Sequence, residues 1–390
     1  MIPGLLGALA VAPLYWLLVP ARFRREALVV ASLGGLWLYD PRLVVLVVVV
    51  VLGFFGLMRA LASARDAGRA PLVVLGLAAL AGLFLFNKLA GQQFVVLPSQ
   101  SGLALLGVSY LVLKAAAALI ETARGTLRAF TLRDVLLWIV FLPTYPSGPM
   151  EDFEHFRRQQ PAFDRALVLP GLERILIGLV KALLAAHYLG EWASPILAAP
   201  QEYGRSMLLL GAYAFALRFY FDFSGYSDIA IGLGAVYGYE VEENFDHPFI
   251  RRNLAQLWQH WHMTLTRWLR LYLFIPVSRR LLRQHRRWGD VVPIAAGQIV
   301  AMTVCGLWHG LAWNFALWGL LQALGLIWVG VYARPLGRRL PEALVAWWRD
   351  SWAGYAISTT LTFTFFALAI VFVMTDASGA IRYLRFLVWP

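Results

Sequence analysis

The side chains able to do chemistry in this chain are few and come late. All the histidines (His155, His187, His247, His260, His262, His285 and His309) follow position 150. His309 sits between Trp308 and Gly310 inside VCGLWHGLAWNFALWG, a stretch with no cation or carboxylate of its own. An apolar setting of that kind leaves an imidazole neutral, and a neutral imidazole accepts a proton. Gly306 and Gly310 leave room for another segment or a ligand to approach the ring. These features fit a general base; the competing reading is a hydrogen-bonded packing histidine.

His262 lies in NLAQLWQHWHMTLTRWLRLYLFIP, residues 253–276. At about 100° per residue from Trp258, residues Trp261, His262, Leu265, Trp268, Leu269 and Tyr272 share one broad helical face. His260, Arg267 and Arg270 fall elsewhere, so His262 is the inward histidine of the pair. Upstream, RFYFDFSGYSDIAIGLGAVYGYEVEENFD (218–246) sets Asp222 and Asp228 among aromatics and glycines. Six residues of helix turn about 600°, which points the two carboxylates to different sides and argues against a paired acid-base or metal site. Ser224, Gly225 and Ser227 are expected to break the helix there and to hydrogen-bond the freed backbone. FLPTYPSGPMEDFEHFRR (141–158) carries three prolines and a glycine, which a helix cannot accommodate. Irregular backbone of this kind is tolerated at membrane depth only inside protein or beside water; a loop wholly outside the bilayer is the alternative.

The elements that must position these groups are set by composition. Hydrophobic residues make up 60% and charged residues 14% of the chain, more apolar surface than a water-soluble core absorbs. Apolar runs at 3–19, 43–58, 70–87, 103–120, 167–190, 206–221, 291–307, 311–332 and 353–374 mostly approach the length that spans hydrocarbon. They must be helices, because lipid offers backbone groups no other partner. Shorter runs at 27–39 and 134–143 point to tilted or re-entrant segments. The fold class expected is an all-α integral membrane protein with about ten to eleven transmembrane or re-entrant helices. No linker and no internal repeat divides it. It reads as one domain, 1–390, with peripheral helices over 1–88, a catalytic core over 103–332 and a C-terminal helix and tail over 353–390.

The net charge of +12 does not imply a nucleic-acid partner, since no basic-aromatic module stands apart from the apolar runs. The basic residues alternate between loops. Arg22, Arg24 and Arg25, then Arg59, Arg65 and Arg69, then Arg124 and Arg128 follow every second run, while 40–42 holds one Arg. That bias places those loops in the cytoplasm and the N-terminus outside. The lone Cys305 excludes disulfides within the chain and a cysteine-ligated cluster. The first apolar run lacks a basic flank and a small-residue cleavage site, so it is expected to stay as a helix.

Five stretches together carry a resemblance: GVSYLVLKAAAALIETARG (107–125), FLPTYPSGPM (141–150), FDFSGYSDIAIG (221–232), NFDHPFIRRNLAQLWQHWHMTLTRWLRLYLFIP (244–276) and GLWHGLAWNFALWGLLQ (306–322). In this order they resemble the membrane-bound O-acyltransferases, in the bacterial branch of alginate O-acetylation proteins and teichoic acid D-alanyl transferases. The resemblance implies tilted helices around a thinned centre with a central tunnel, where a cytoplasmic funnel and an outer pocket meet. The family's near-invariant histidine falls on His309 and the branch's second histidine on His262, preceded here by His260-Trp261 where the branch has Arg-Trp. The resemblance also points to Trp308, Asn314, Trp261, Ser224, Asp228 and Pro149 as substrate-binding positions, and to no metal. One departure stands out. The branch pattern WLRDYL, followed by proline and two glycines, reads here WLRLYL and then Pro276-Val277-Ser278. The chain is also expected to lack the C-terminal extension of the longer alginate-type members.

What the resemblance implies is transfer of a small acyl group, acetyl or D-alanyl, to a hydroxyl. The donor expected is a thioester on the cytoplasmic side, coenzyme A or a phosphopantetheine carrier protein, as co-substrate and not as a tightly bound cofactor. The acceptor side is an extracytoplasmic polysaccharide or a secreted acyltransferase-like partner, and the location is the bacterial inner membrane. His309 is the expected base and His262 orients the reacting groups, with Asn314 supporting the oxyanion. Direct attack and a transient acyl-histidine both remain open. A transporter without chemistry and a non-catalytic scaffold are the rival classes; the first predicts symmetric halves and carboxylates along a pathway.

Overall fold

A computed structural model describes residues 2–93, 104–284, 289–332 and 338–389. His285 lies outside them. Every regular element among the described residues is helical, as a chain surrounded by lipid requires. Among the described residues six helices or helix segments are long and apolar enough to cross a bilayer: Pro41–Ser63, Gly68–Leu89, Arg205–Val236, Val291–His309, Trp313–Val331 and Trp352–Met374. The chain divides into two compact units, Met1–Leu179 with Tyr226–Glu242, and Val180–Gly225 with Glu243–Pro390.

The first unit contains α1 (Ile2–Leu18), α2 (Arg24–Tyr39), α3 (Pro41–Ser63), α4 (Asp66–Gln93), α5 (Ala104–Arg124), α6 (Leu132–Val140), α7 (Phe153–Arg158) and α8 (Arg165–Leu179). Helix starts follow their caps. Asp40 accepts from the Arg42 N–H with Pro41 at the first helical position, Thr131 accepts from the Asp134 N–H, and Asp152 accepts from the His155 N–H. On α3 the buried Val47, Val51, Phe54, Met58 and Leu61 recur every three or four residues, while Val45, Val49 and Leu52 are exposed. An apolar outer face of this kind suits lipid. At nine residues, α6 is too short to span.

The proline-rich stretch after α6 runs through turns to α7 rather than continuing the helix. It is held by polar groups that lipid could not satisfy. The buried Trp138 indole donates to the Glu151 carbonyl at 2.9 Å, and Lys114 Nζ donates to the Trp138 carbonyl at 3.1 Å. Tyr226 Oη donates to the Pro143 carbonyl at 3.2 Å. Arg25 pairs with Asp134 at 2.8 Å and also donates to the carbonyls of Arg157 and Gln159.

Beyond α8 lie α9 (Ala186–Ala198), α10 (Arg205–Val236), α11 (Leu254–His260), α12 (Met263–Leu269), α13 (Ile275–Gln284), α14 (Val291–His309), α15 (Trp313–Ile327), α16 (Glu342–Asp350), α17 (Trp352–Met374) and α18 (Ala377–Val388). All but the end of α10 belong to the second unit. Two expectations are corrected here. α10 runs unbroken through Ser224, Gly225 and Ser227, where a break was expected. A glycine costs a helix about 1 kcal/mol, less than the several kcal/mol of one unsatisfied backbone group in hydrocarbon. Conversely, 253–276 is not one helix, because α11 ends at His260 and α12 starts at Met263.

Candidate active site

The break between α11 and α12 places His262. The Met263 N–H donates to the Asn244 carbonyl at 2.9 Å, and the Asp246 N–H donates to the His260 carbonyl at 3.0 Å. This clasp holds 260–263 against 244–246, in place of the helical bonds a continuous helix would make. His262 caps α12 with φ 42° and ψ 54°, a left-handed conformation that costs a non-glycine residue free energy and concentrates at functional sites. Among the described residues only His247 shares it without being glycine. His262 is thus buried by a strained turn, not by helical periodicity, whereas His260 stays partly accessible.

Inside this turn the imidazole is fixed. Asn244, fully buried, receives the Nδ1–H of His262 on Oδ1 at 2.9 Å and the Thr264 hydroxyl on the same oxygen at 3.0 Å. Donation from Nδ1 puts the ring's lone pair on Nε2. Phe223 stands edge-on to the ring, with centroids 4.7 Å apart and planes at 90°. His262 lies outside the six spanning helices, and burial first, then His309, hold its pKa well below the ordinary histidine value. Charging either imidazole therefore disfavours charging the other, and His262 is neutral. Trp308 lies beside it, the ring centroids 6.5 Å apart.

His309 is the last residue of α14. Gly306 and Gly310 do leave room beside it, and Phe315 of the same chain fills that room. A Cβ at Gly306 would sit 2.1 Å from the Phe315 carbonyl oxygen, and one at Gly310 would sit 2.2 Å from its ring. The turn between α14 and α15 is thereby tight. The His309 ring lies 4.8 Å from Trp308 and stands edge-on to Trp318 at 5.4 Å. It is half-buried rather than sealed.

The other expected positions divide. Trp261 is buried and stacked on Phe219 at 5.7 Å, and with Phe245 and Phe249 it forms an aromatic wall beside His262. Asn314 donates its amide to the carbonyls of Phe372 at 3.0 Å and Thr375 at 3.1 Å. Both of its N–H groups are engaged, so in this arrangement it anchors the end of α17 and has none left for an oxyanion. Ser224 Oγ is buried with no hydrogen-bond partner among the described residues, and not bonded to freed backbone as expected, because α10 continues there and frees none. Asp228 and Pro149 belong to the first unit, where Asp228 accepts from Arg174 Nε at 2.9 Å. Asp222 is exposed and Asp228 buried, as their angular separation requires. Among the described residues no three His, Cys, Asp or Glu side chains gather as metal ligands.

Sequence reasoning passed over Asn244, Thr264 and Phe223. All three lie inside the stretches that carry the resemblance, but the pairing of Asn244 with a histidine 18 residues away is not a sequence property.

The profile of the membrane-bound O-acyltransferase family matches residues 99–375. The teichoic acid D-alanyltransferase of Streptococcus thermophilus is 32% identical over 59% of this chain and 57% of its own length. The probable alginate O-acetylase of Azotobacter vinelandii is 32% identical over 55% of this chain and 42% of its own length. The peptidoglycan O-acetyltransferase of Helicobacter pylori is 29% identical over 50% and 36% respectively. The chain spans about half the length of the curated relatives it matches.

Proposed function

The chain belongs to the membrane-bound O-acyltransferase family, and from that premise we propose that it transfers a small acyl group, acetyl or D-alanyl, from a thioester to a hydroxyl. The donor is a cytoplasmic thioester on coenzyme A or a phosphopantetheine carrier protein. The acceptor is a hydroxyl of an extracytoplasmic envelope polysaccharide or of a secreted relay partner. The setting is the bacterial inner membrane, with ten to eleven embedded helices around a central tunnel.

The observation that carries this reading is the pair of imidazoles, His262 locked through Nδ1 by Asn244 and His309 within electrostatic range of it. His309 removes the proton from the acceptor hydroxyl. The freed oxygen attacks the thioester carbonyl, the C–S bond breaks as the ester C–O bond forms, and the departing thiolate takes up the proton from His309. A positioned base contributes about 10²- to 10⁴-fold to such a step. The lone pair on His262 Nε2 accepts a hydrogen bond from a second donor of the bound substrates, a neighbouring hydroxyl or an amide N–H of the thioester arm, and orients the reacting groups. Trp261 and Trp308 exclude water that would otherwise hydrolyse the thioester.

Purified protein in detergent or nanodiscs, given a labelled acyl thioester and a hydroxyl acceptor, tests the reading. Consumption of the thioester with label on the acceptor is expected, and loss of both in His309→Ala. Movement of intact thioester across a sealed vesicle identifies a transporter instead, and neither consumption nor movement a scaffold.

A further inference from the structure

A cavity of about 480 Å³ opens within the second unit, bounded by the end of α9, the middle of α10 and the segment joining α17 to α18. Two guanidiniums line it, Arg218 from α10 and Arg382 from α18. Among the described residues neither forms an ion pair or hydrogen bond; their charged neighbours are Asp222 and Asp376, at longer range. Arg218 is half-buried and sits mid-way along a helix long and apolar enough to span the membrane. An intramembrane arginine is expensive, and Arg218, with Asp222 one turn on but not within ion-pair distance, keeps its guanidinium N–H groups for a ligand.

The rest of the lining narrows the ligand. Asp376 and Ser378 offer hydrogen-bonding groups, while Phe215 and Met374 give an apolar floor. The first-turn amide of α18 is already taken, since Asp376 Oδ1 accepts from the Gly379 N–H at 2.6 Å and the Ser378 hydroxyl at 3.0 Å. Recognition therefore falls to side chains. Guanidiniums bind planar or tetrahedral oxyanions through paired N–H groups, and a carboxylate with an apolar floor suits the hydroxyls and C–H face of a small ring. The cavity lies within the small-molecule range of about 300–1,000 Å³.

Both walls connect to the candidate centre. Five residues after Arg218, roughly 7.5 Å along the helix, Phe223 meets the His262 ring. Asn314, on the helix that follows His309, fixes the carbonyls of Phe372 and Thr375 on either side of Met374.

We propose that this cavity is the subsite for an anionic unit of the acceptor, a sugar or polyol bearing a carboxylate or phosphate, with Arg218 and Arg382 pairing with the charge. The assignment rests on the acyltransferase reading for its meaning, but binding can be measured without turnover.

Binding of short oligogalacturonate and of oligo(glycerol phosphate) to the full chain in neutral detergent tests it, with fully methyl-esterified oligogalacturonate as the uncharged counterpart. At least one charged oligomer binds, and esterification, Arg218→Gln or Arg382→Gln each weakens binding roughly tenfold, the loss expected for one charge-assisted hydrogen bond. Arg218→Lys restores part of it. If Arg218→Gln does not fold, Arg382→Gln, on the exposed rim, carries the test. Binding of neither charged oligomer, equal binding of the esterified form, or unchanged binding by the glutamine variants overturns the proposal. So does a response to phosphatidylglycerol nanodiscs alone, which identifies a lipid-headgroup site. Thioester consumption by the unsubstituted protein is scored separately, so failure of the acyltransferase reading is distinguishable from failure of the subsite.

Discussion

Asn244 Oδ1 lies 2.9 Å from His262 Nδ1, and the same oxygen accepts the Thr264 hydroxyl at 3.0 Å. One buried amide therefore sets which nitrogen of His262 carries the proton and which way its lone pair points. Removing it in Asn244→Ala is expected to lower turnover roughly ten- to hundredfold, about the 1–3 kcal/mol of a lost buried hydrogen bond. Because the loss is one of alignment, kcat falls and KM for the thioester holds. Asn244→Asp is the sharper variant. Its carboxylate accepts the same bond but favours the imidazolium, so the pH–rate profile moves to higher pH. An unchanged profile in Asn244→Asp, together with wild-type kcat in Asn244→Ala, assigns Asn244 to packing alone.

Substituting His309 by alanine is expected to cost about 10²- to 10⁴-fold in acyl transfer while the protein still elutes as a folded species in detergent. Transfer to a labelled acceptor and size-exclusion behaviour are measured on the same preparation. Transfer at the parental rate removes His309 from the chemistry.

Gly306→Ala forces a Cβ to 2.1 Å from the Phe315 carbonyl oxygen, a backbone atom that cannot rotate away. Parting α14 from α15 is expected to cost roughly 1–3 kcal/mol, the range for an overfilled core, and to displace His309. Gly53→Ala is the control, since nothing lies within 4 Å of its added methyl. Thermal unfolding in detergent should separate the two, with Gly306→Ala lower in both melting temperature and activity.

Arg25 and Asp134 have side chains only 11% and 8% exposed. Removing Arg25 leaves the buried Asp134 carboxylate only Arg133, at 3.7 Å, and the Thr131 hydroxyl, at 2.6 Å, so Arg25→Ala is expected to destabilise by about 3 kcal/mol, the low end for breaking a buried pair. Arg25→Met with Asp134→Leu should recover a good part of that. A double variant no more stable than the single one assigns the effect to Arg25's bonds to the carbonyls of Arg157 and Gln159.

His155, at the protein surface, has its pKa raised first by its hydrogen bond to Glu151. The folded chain then holds the proton more tightly than the unfolded one. The stabilisation is complete below the ordinary histidine value of 6.5 and is lost as pH rises through the raised folded value. Glu151, its pKa raised by burial, changes stability in the same direction. Melting temperature in detergent should therefore decline as pH rises above 4.5, where Glu151 ionises in the unfolded chain, and further above 6.5 as His155 does its part; the decline above 6.5 should flatten in His155→Ala. A slope identical in the variant would exclude this pair as its source.

The sequence by itself determined that the chain is helical and membrane-embedded, because hydropathy and the cost of unsatisfied backbone in lipid act within one segment. It also marked His309 and His262, since their motifs are contiguous strings. It went astray where the outcome depended on competition between distant groups. Ser224 and Gly225 look like helix breakers, yet α10 continues through them, because lipid leaves the backbone no alternative partner. The stretch around His262 looks like one helix, yet it breaks there, because Asn244 and Asp246 offer that backbone bonds that outweigh its helical ones. Only the tertiary structure gave His262 its tautomer through a residue 18 positions away, tied Asp228 to Arg174 across 54, and enclosed Arg218 and Arg382 in one cavity. The first two rest on single directional contacts and the third on which helices pack side by side, all of which periodicity and composition average away.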